Sequence, residues 1–228
     1  MDTGARIRKD ERLQFITHRT TRHSYTDGAR RALAGGCRWI QLRMKDARTD
    51  DIRHAADELI PLCRAARATV IIDDRVDLVT ALGFDGVHLG KNDMPPEQAR
   101  TILPPGTFIG GTANTFDDIK RLVTAGVDYI GCGPFRFTTT KEHLAPTIGI
   151  DGYKNIISRM EEDGLRGRTP IIAIGGIRAD DIPDIIATGV DGVAVSGDIL
   201  NADDPTEETR KIISLLYEEQ DKDNVSLV

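Results

Sequence analysis

No stretch of this chain approaches the ~20 consecutive apolar residues that a membrane-spanning helix needs. The first twelve residues are polar and charged, with no apolar segment behind them, so neither a membrane span nor a secretory leader is expected. Cysteine is scarce. Cys37, Cys63 and Cys132 are isolated and odd in number, fit neither a zinc spacing nor a disulfide framework, and read as reduced, buried, inert thiols. A cytosolic location is the corresponding expectation. Basic residues are not in excess: 30 Lys and Arg stand against 36 Asp and Glu, a formal charge of -6. This argues against a general surface for nucleic acid or anionic membrane, while leaving room for a local basic pocket for phosphate. Aromatic residues make up only 5%, and the single tryptophan, Trp39, reads as core packing.

What the chain does have is alternation. Short runs rich in Ile, Val and Leu at 13–18, 39–44, 69–74, 86–90, 108–113, 129–134, 170–176 and 192–197 read as strands. Amphipathic stretches at 26–35, 49–67, 76–83, 95–103, 115–125, 151–163, 179–188 and 205–220 read as helices. Such alternation signals βαβ units and a parallel sheet. Eight units in 228 residues suit a closed (β/α)8 TIM barrel, which typically takes about 200–250 residues. A doubly wound open sheet is the competitor. The segments Ala34–Arg43, Leu82–Gly90, Ala125–Gly133 and Thr188–Gly197 form a weak repeat in which a Gly, a short link and an apolar strand follow one another. The Gly ends a helix in the left-handed conformation, and all four segments lead into even-numbered strands, a two-strand period that a layered barrel interior would produce. We expect one catalytic domain over 13–220 with flexible tails at 1–12 and 221–228, and a working loop between Phe135 and Gly149.

In a parallel barrel the active site lies at the carboxyl ends of the strands. There, Arg43 and Lys45 follow strand two at a spacing that places both on one side, as a diphosphate would want; a solvated charge pair is the alternative. Asp74 and Asp93 end neighbouring strands, where carboxylates can share Mg²⁺; alternatively Asp93 caps the helix opening at Pro95. The loop Thr138, Thr139, Thr140, Lys141 can bond and neutralise a phosphate chain. Gly175-Gly176 after strand seven and Ser196-Gly197 after strand eight fall where such barrels bind a monophosphate through backbone N–H groups; tight turns needing Gly are the alternative. His88 reads as a hydrogen-bonded interior histidine, and His18 and His143 are weaker candidates for substrate contact. Two anion sites at one mouth suggest two phosphorylated substrates.

Gln41 to Lys45, Asp74-Arg75-Val76-Asp77, Gly86 to Gly90 with Asp93-Met94-Pro95, Tyr129 to Pro134, Thr138 to Lys141 and Ala173 to Ile177 occur in the order found in thiamine-phosphate synthases, which the chain resembles over about residues 13–215. The resemblance implies a transferase that joins a pyrimidine diphosphate to a thiazole phosphate, or its carboxylated form, and releases pyrophosphate. By resemblance, Asp74 and Asp93 hold Mg²⁺. Gln41, Leu42, Arg43, Met44, Lys45, Asp73, Thr112 and Lys141 contact the pyrimidine diphosphate, with Arg43, Lys45 and Lys141 assisting its departure. Thr138 and Thr140 serve the thiazole phosphate, with Gly176, Ser196 and Gly197 as backbone donors, and Thr139 between them is a further substrate contact. Both partners are small molecules, and a homo-oligomer is allowed. Three positions depart from the family: Asp73 for the usual Asn, Thr112 for Ser, and Gly197-Asp198-Ile199 for Ser-Ala-Ile. Asp73 has three options: joining the metal, which we favour here, holding a proton, or pairing with a cation such as Arg43 or Lys91. The rivals are a tautomerase-like relative acting on a thiazole carboxylate phosphate, a non-catalytic barrel that binds thiazole phosphate, and a phosphosugar isomerase or lyase.

Overall fold

The computed structural model describes residues 11–137 and 146–225. Eight parallel strands, β1 (Leu13–Ile16), β2 (Trp39–Leu42), β3 (Thr69–Asp73), β4 (Gly86–Leu89), β5 (Phe108–Ala113), β6 (Tyr129–Cys132), β7 (Ile171–Ile174) and β8 (Gly192–Val195), follow one another around a closed barrel. Closure is made by β8 pairing with β1 in the register Phe15↔Val195, so the open-sheet alternative is excluded. The helices are α1 (Tyr25–Ala34), α2 (Thr49–Ala65), α3 (Val76–Leu82), α4 (Pro96–Ile102), α5 (Phe116–Ala125), α6 (Gly149–Glu162), α7 (Ile182–Ile186), α8 (Gly197–Asn201) and α9 (Pro205–Val225).

Local chemistry sets the helix ends. Ser24 and Asp27 form a reciprocal capping box at α1, and Thr115 and Asp118 do the same at α5. The repeated glycines before β2, β4, β6 and β8 are left-handed, with φ of 104° at Gly36, 83° at Gly83, 71° at Gly126 and 95° at Gly189. The expected helix 179–188 is instead a 3-10 turn, Ala179–Asp181, followed by the short α7. Helix α9 runs five residues past the expected end. Glu11 is buried and Arg12 donates to Asp191 O at 3.0 Å and Leu216 O at 2.6 Å, so these two residues of the expected tail are held in place.

The strands separate two cores. Their outer faces, including Phe15, Ile40, Leu42, Val70, Ile72 and Ile109, pack against the helices. The inner faces supply Ile16, Trp39, Ile71, Phe108, Tyr129, Ile172 and Ala194. Tyr129 stacks on Phe108 at 5.3 Å and meets the Trp39 edge at 4.6 Å. Gly110 makes room for this: a Cβ there would lie 2.1 Å from a Tyr129 ring carbon.

The amino end of the barrel is closed by a repeated device. Asp85, Asp128 and Asp191 precede β4, β6 and β8, and accept backbone N–H bonds from Val70 (2.8 Å), Ile109 (2.7 Å) and Ile171 (2.8 Å) of the preceding odd strands. Each pairs with an arginine: Arg64 at 2.6 Å, Arg100 at 2.8 Å and Arg166 at 3.0 Å.

Candidate active site

Moving two residues on from the aromatic layer along β2 and β3, the interior positions become polar. From Trp39 the chain reaches Gln41, and from Ile71 it reaches Asp73. His88 on β4 and Thr112 on β5 complete this side. Gln41 Nε2 donates to Asp73 Oδ1 at 2.6 Å, and Arg43 Nε lies 3.2 Å from Asp73 Oδ2. Of the three options for Asp73, pairing with Arg43 is the arrangement observed. The backbone N–H of Arg43 is held by Thr17 Oγ1 at 3.0 Å.

Strand β2 ends at Leu42, so the expected shared side for Arg43 and Lys45 does not hold. Arg43 shares Asp73 with Gln41, whereas Lys45 is exposed in the turn beyond. The side chains of Leu42 and Met44 pack into the layer between strands and helices, so any contact they make at the mouth is through backbone.

Strand β5 ends at Ala113 as expected, and the remaining strands end earlier than their apolar runs. Asp74 leaves the ladder with φ 64°, and Gly175 and Gly176 with φ 99° and 72°. A left-handed non-glycine residue is uncommon, and such conformations cluster at functional sites. Asp74 is pinned by its N–H to His88 O at 2.9 Å. Asp93 does not cap α4, whose N-cap is Pro95 without a side-chain bond. Instead its Oδ2 accepts from Gly90 N at 2.6 Å, and the carboxyl lies close enough to Asp74 to raise it. Burial, then the charge of Asp73 and the contact with Asp93, push the Asp74 carboxyl up to about 7. Lys91 is engaged elsewhere, 2.6 Å from Asp118.

A chain of bonds missed by sequence reasoning supports Thr112. Gln14 Nε2 donates to the Tyr129 hydroxyl at 3.0 Å, that hydroxyl lies 2.7 Å from His88 Nδ1, and His88 Nε2 lies 2.8 Å from Thr112 Oγ1. With Gln14 donating, the one Tyr129 hydrogen goes to Nδ1, so a neutral imidazole carries its hydrogen on Nε2 and gives it to Thr112. The Thr112 hydroxyl hydrogen is thereby left to point elsewhere, as a donor. His88 is the interior histidine expected, and Trp39 is core. The signal for Gln14 was a lone amide in the apolar run Leu13–Ile16. His18 is exposed past β1.

On the opposite side of the mouth, the glycines have a packing reason. A Cβ at Gly175 would lie 2.8 Å from Pro134 Cα, and one at Gly176 would lie 2.5 Å from Arg136 Cγ. Phe135 N and Arg136 N donate to Ile174 O at 2.8 Å and Gly175 O at 3.1 Å. The β6–α6 loop therefore lies directly on the β7 turn. Arg136 also bonds Asp181 at 2.6 Å. Ser196 precedes α8, and Gly197 opens it, with first-turn N–H groups that have no partner inside the helix. Asp198, one of the departures, accepts from Ala179 N at 2.8 Å and ties this turn to the one after β7. Thr138, Thr139, Thr140, Lys141 and His143 lie outside the described residues.

The three cysteines are buried, and burial raises their thiols to about 11 at Cys37 and about 12 at Cys63 and Cys132. A recess of about 290 Å³ lined by Arg64, Arg67, Ala68, Thr69 and Asp85 lies at the amino end, away from the expected site residues. Among the described residues no helix is long and apolar enough to cross a membrane.

A sequence model described as thiamine monophosphate synthase matches residues 13–199. The thiamine-phosphate synthase of Phocaeicola vulgatus is 56% identical over 207 residues, covering 91% of this chain and 99% of its own. That of Bacteroides fragilis is 55% identical over 203 residues, covering 89% and 98%. The solved thiamine phosphate pyrophosphorylase from Pyrococcus furiosus superposes with a TM-score of 0.81 at 33% identity, covering 92% of this chain and 97% of that one. Matches of this extent, on a closed barrel with a polar mouth, place the chain in the thiamine monophosphate synthase family, transferases of thiamine biosynthesis.

Proposed function

We propose that this chain condenses 4-amino-2-methyl-5-(diphosphooxymethyl)pyrimidine with 4-methyl-5-(2-phosphoethyl)thiazole, or its carboxylated form, and requires Mg²⁺. The observation that carries the reading is the pair of Asp74, left-handed at φ 64°, and Asp93 lying against each other at the rim, where burial, Asp73 and Asp93 raise the Asp74 carboxyl to about 7. A buried carboxyl that keeps its proton this far marks a site short of positive charge. The pair fits Mg²⁺, which needs only one or two carboxylates beside water and phosphate oxygens. When bound, Mg²⁺ supplies charge stabilisation to a diphosphate.

The protein's own part in this reaction is positioning and electrostatics. The methylene C–O bond breaks with its electron pair leaving on pyrophosphate, and the thiazole nitrogen lone pair forms the new C–N bond; with the carboxylated thiazole the ring–carboxylate C–C bond also breaks, releasing CO₂. Arg43 and Lys45, with Lys141 from outside the described residues, would offset the charge of the departing pyrophosphate. Thr112, its hydrogen freed by the His88 chain, would donate to a phosphate oxygen. Gly176, Ser196 and Gly197 would offer backbone N–H groups to the thiazole phosphate, beside Thr138, Thr139 and Thr140.

The test is to mix both substrates with Mg²⁺ and assay thiamine phosphate and pyrophosphate. Equal yields of the two products support the reading. Binding of thiazole phosphate without turnover identifies a binding barrel instead, and turnover undiminished by EDTA removes the metal.

A further inference from the structure

Gln41 is only 2% exposed, and its Oε1 is buried with no hydrogen-bond partner. A bare buried acceptor costs about 1–3 kcal/mol, and native interiors tolerate few of them. The other end of the same amide explains why this one stays bare. Asp73, paired with the Arg43 guanidinium at 3.2 Å, is a carboxylate and can only accept. Gln41 must therefore turn its NH₂ toward it, as it does at 2.6 Å, and the carbonyl is forced to the opposite edge. An Asn at 73 would impose no such choice, because its amide can present either an oxygen or an NH₂ to Gln41.

We infer that Asp73 is a positioning residue that locks the Gln41 amide with its carbonyl as the free edge, so that this site selects a heterocycle carrying a hydrogen-bond donor over its carbonyl counterpart. The inference rests on the proposed pyrimidine substrate and deepens it. The amino substituent of the pyrimidine supplies the missing donor; an oxo group in its place sets acceptor against acceptor. Asp73 then acts on the ring through Gln41 rather than on the diphosphate. The extra carboxylate beside a diphosphate is reconciled with binding because Arg43 already neutralises it.

The experiment measures binding of the aminopyrimidine diphosphate and of its 4-oxo counterpart to the full chain, with Mg²⁺ and without thiazole phosphate. The wild type should prefer the amino compound by tenfold or more, as expected for leaving one buried polar group unpaired. In Asp73→Asn the preference should fall at least fivefold, since either amide can now turn over, roughly the 1 kcal/mol scale of one hydrogen bond. Loss of the negative charge changes the affinity of both ligands alike, so the ratio isolates the amide. Asp73→Ser, whose hydroxyl both donates and accepts, should lower the ratio too and serves if the Asn variant does not fold. The Gln41 side-chain amide protons give an independent signature: one should be shifted downfield by the carboxylate in the wild type and should return toward the ordinary position in both variants. Wild-type binding with the same amino-to-oxo ratio in the variants overturns the inference alone and indicates an acceptor satisfied by an internal water. Failure of the aminopyrimidine diphosphate to bind the wild type overturns the substrate reading and the inference with it.

Discussion

The two ends of this barrel use aspartate in opposite ways. At the amino end Asp85, Asp128 and Asp191 each receive a backbone N–H and an arginine. At the carboxyl end Asp73, Asp74 and Asp93 crowd together, and Asp74 is raised to about 7 by burial and by the other two. The same side chain is thus a fastener where an arginine and an N–H match its charge; at the mouth Asp73 is matched by Arg43 and Gln41, while its charge still raises Asp74. Satisfied carboxylates close the ladder between neighbouring strands; on the proposed reading, the pair Asp74 and Asp93 is where a cation would be held.

If that contrast is right, substitution at the mouth should harm activity and spare stability. Asp93→Ala should lower kcat by about 10²-fold or more, the scale of losing charge stabilisation in a site. Its unfolding midpoint should stay near that of the parent, because relief of crowding beside Asp73 and Asp74 offsets the loss of the acceptor for Gly90 N–H. Steady-state kinetics and thermal denaturation of the purified variant test both halves. An Asp93→Ala protein that loses stability and keeps its rate would reverse the assignment.

At the amino end the expectation inverts. The Asp128 side chain is 9% exposed and takes both Arg100 at 2.8 Å and the Ile109 N–H at 2.7 Å. Asp128→Ala leaves the Ile109 N–H bare and the half-buried Arg100 guanidinium without its carboxylate, though still donating to Thr107 O and Gly126 O. It should cost about 2–4 kcal/mol in denaturant unfolding, below the full cost of breaking a wholly buried pair because Arg100 still reaches water. The Michaelis constants of the surviving folded protein should be unchanged. A loss under about 0.5 kcal/mol would show that these pairs do not fasten the barrel.

A sharper contrast lies within the mouth. Gly176 is glycine for two reasons: its φ of 72° and the 2.5 Å approach that a Cβ would make to Arg136 Cγ. Gly176→Val should displace the β6–α6 loop and the turn together, raising the Michaelis constant for thiazole phosphate about tenfold or more, a ~1.4 kcal/mol loss. The constant for the pyrimidine diphosphate should move far less. Equal increases for both substrates would mean that the turn supports the whole mouth rather than one phosphate.

The alternation of elements was legible because each unit carries its own stop: a capping residue at the start of α1 and α5, and a left-handed glycine before each even strand. The adjacency of Asp74 and Asp93 followed from strand order alone. Strand ends were not legible, because the run Val70-Ile71-Ile72 says nothing of the left-handed turn at Asp74 that ends the ladder. The partner of Asp73 was also hidden, and so was the Gln14–Tyr129–His88–Thr112 chain. Both depend on the register that sets residues 32 and 115 positions apart within bonding distance. In a parallel barrel both strand faces are buried, so the sequence lacks the polar-out alternation that would reveal which side chains face inward.

The smallest expected effect, and the most direct probe of the crowded end, is the pH dependence of metal binding. The Asp74 carboxyl is raised to about 7, with burial as the largest cause, then Asp73, then Asp93. A group raised above its unfolded value binds its proton more tightly when folded. The folded state is therefore favoured at low pH, and the metal-free protein should lose that contribution as pH rises from about 4 toward about 7. Metal binding has the opposite slope, because the ligand must be deprotonated. At pH 6 a carboxyl titrating at about 7 is protonated in about ten molecules of eleven, and at pH 8 in about one of eleven. Mg²⁺ affinity should therefore rise by up to about tenfold between pH 6 and pH 8, provided the proton held by the coupled Asp74–Asp93 pair is the one that Mg²⁺ displaces. The measurement is a Mg²⁺ titration of the substrate-free chain at both pH values and fixed ionic strength. Asp74→Asn should bind more weakly at both and show no slope. A wild-type affinity that stays flat across this range would place Mg²⁺ away from Asp74 and would remove the carboxyl end's claim to be the charge-starved one.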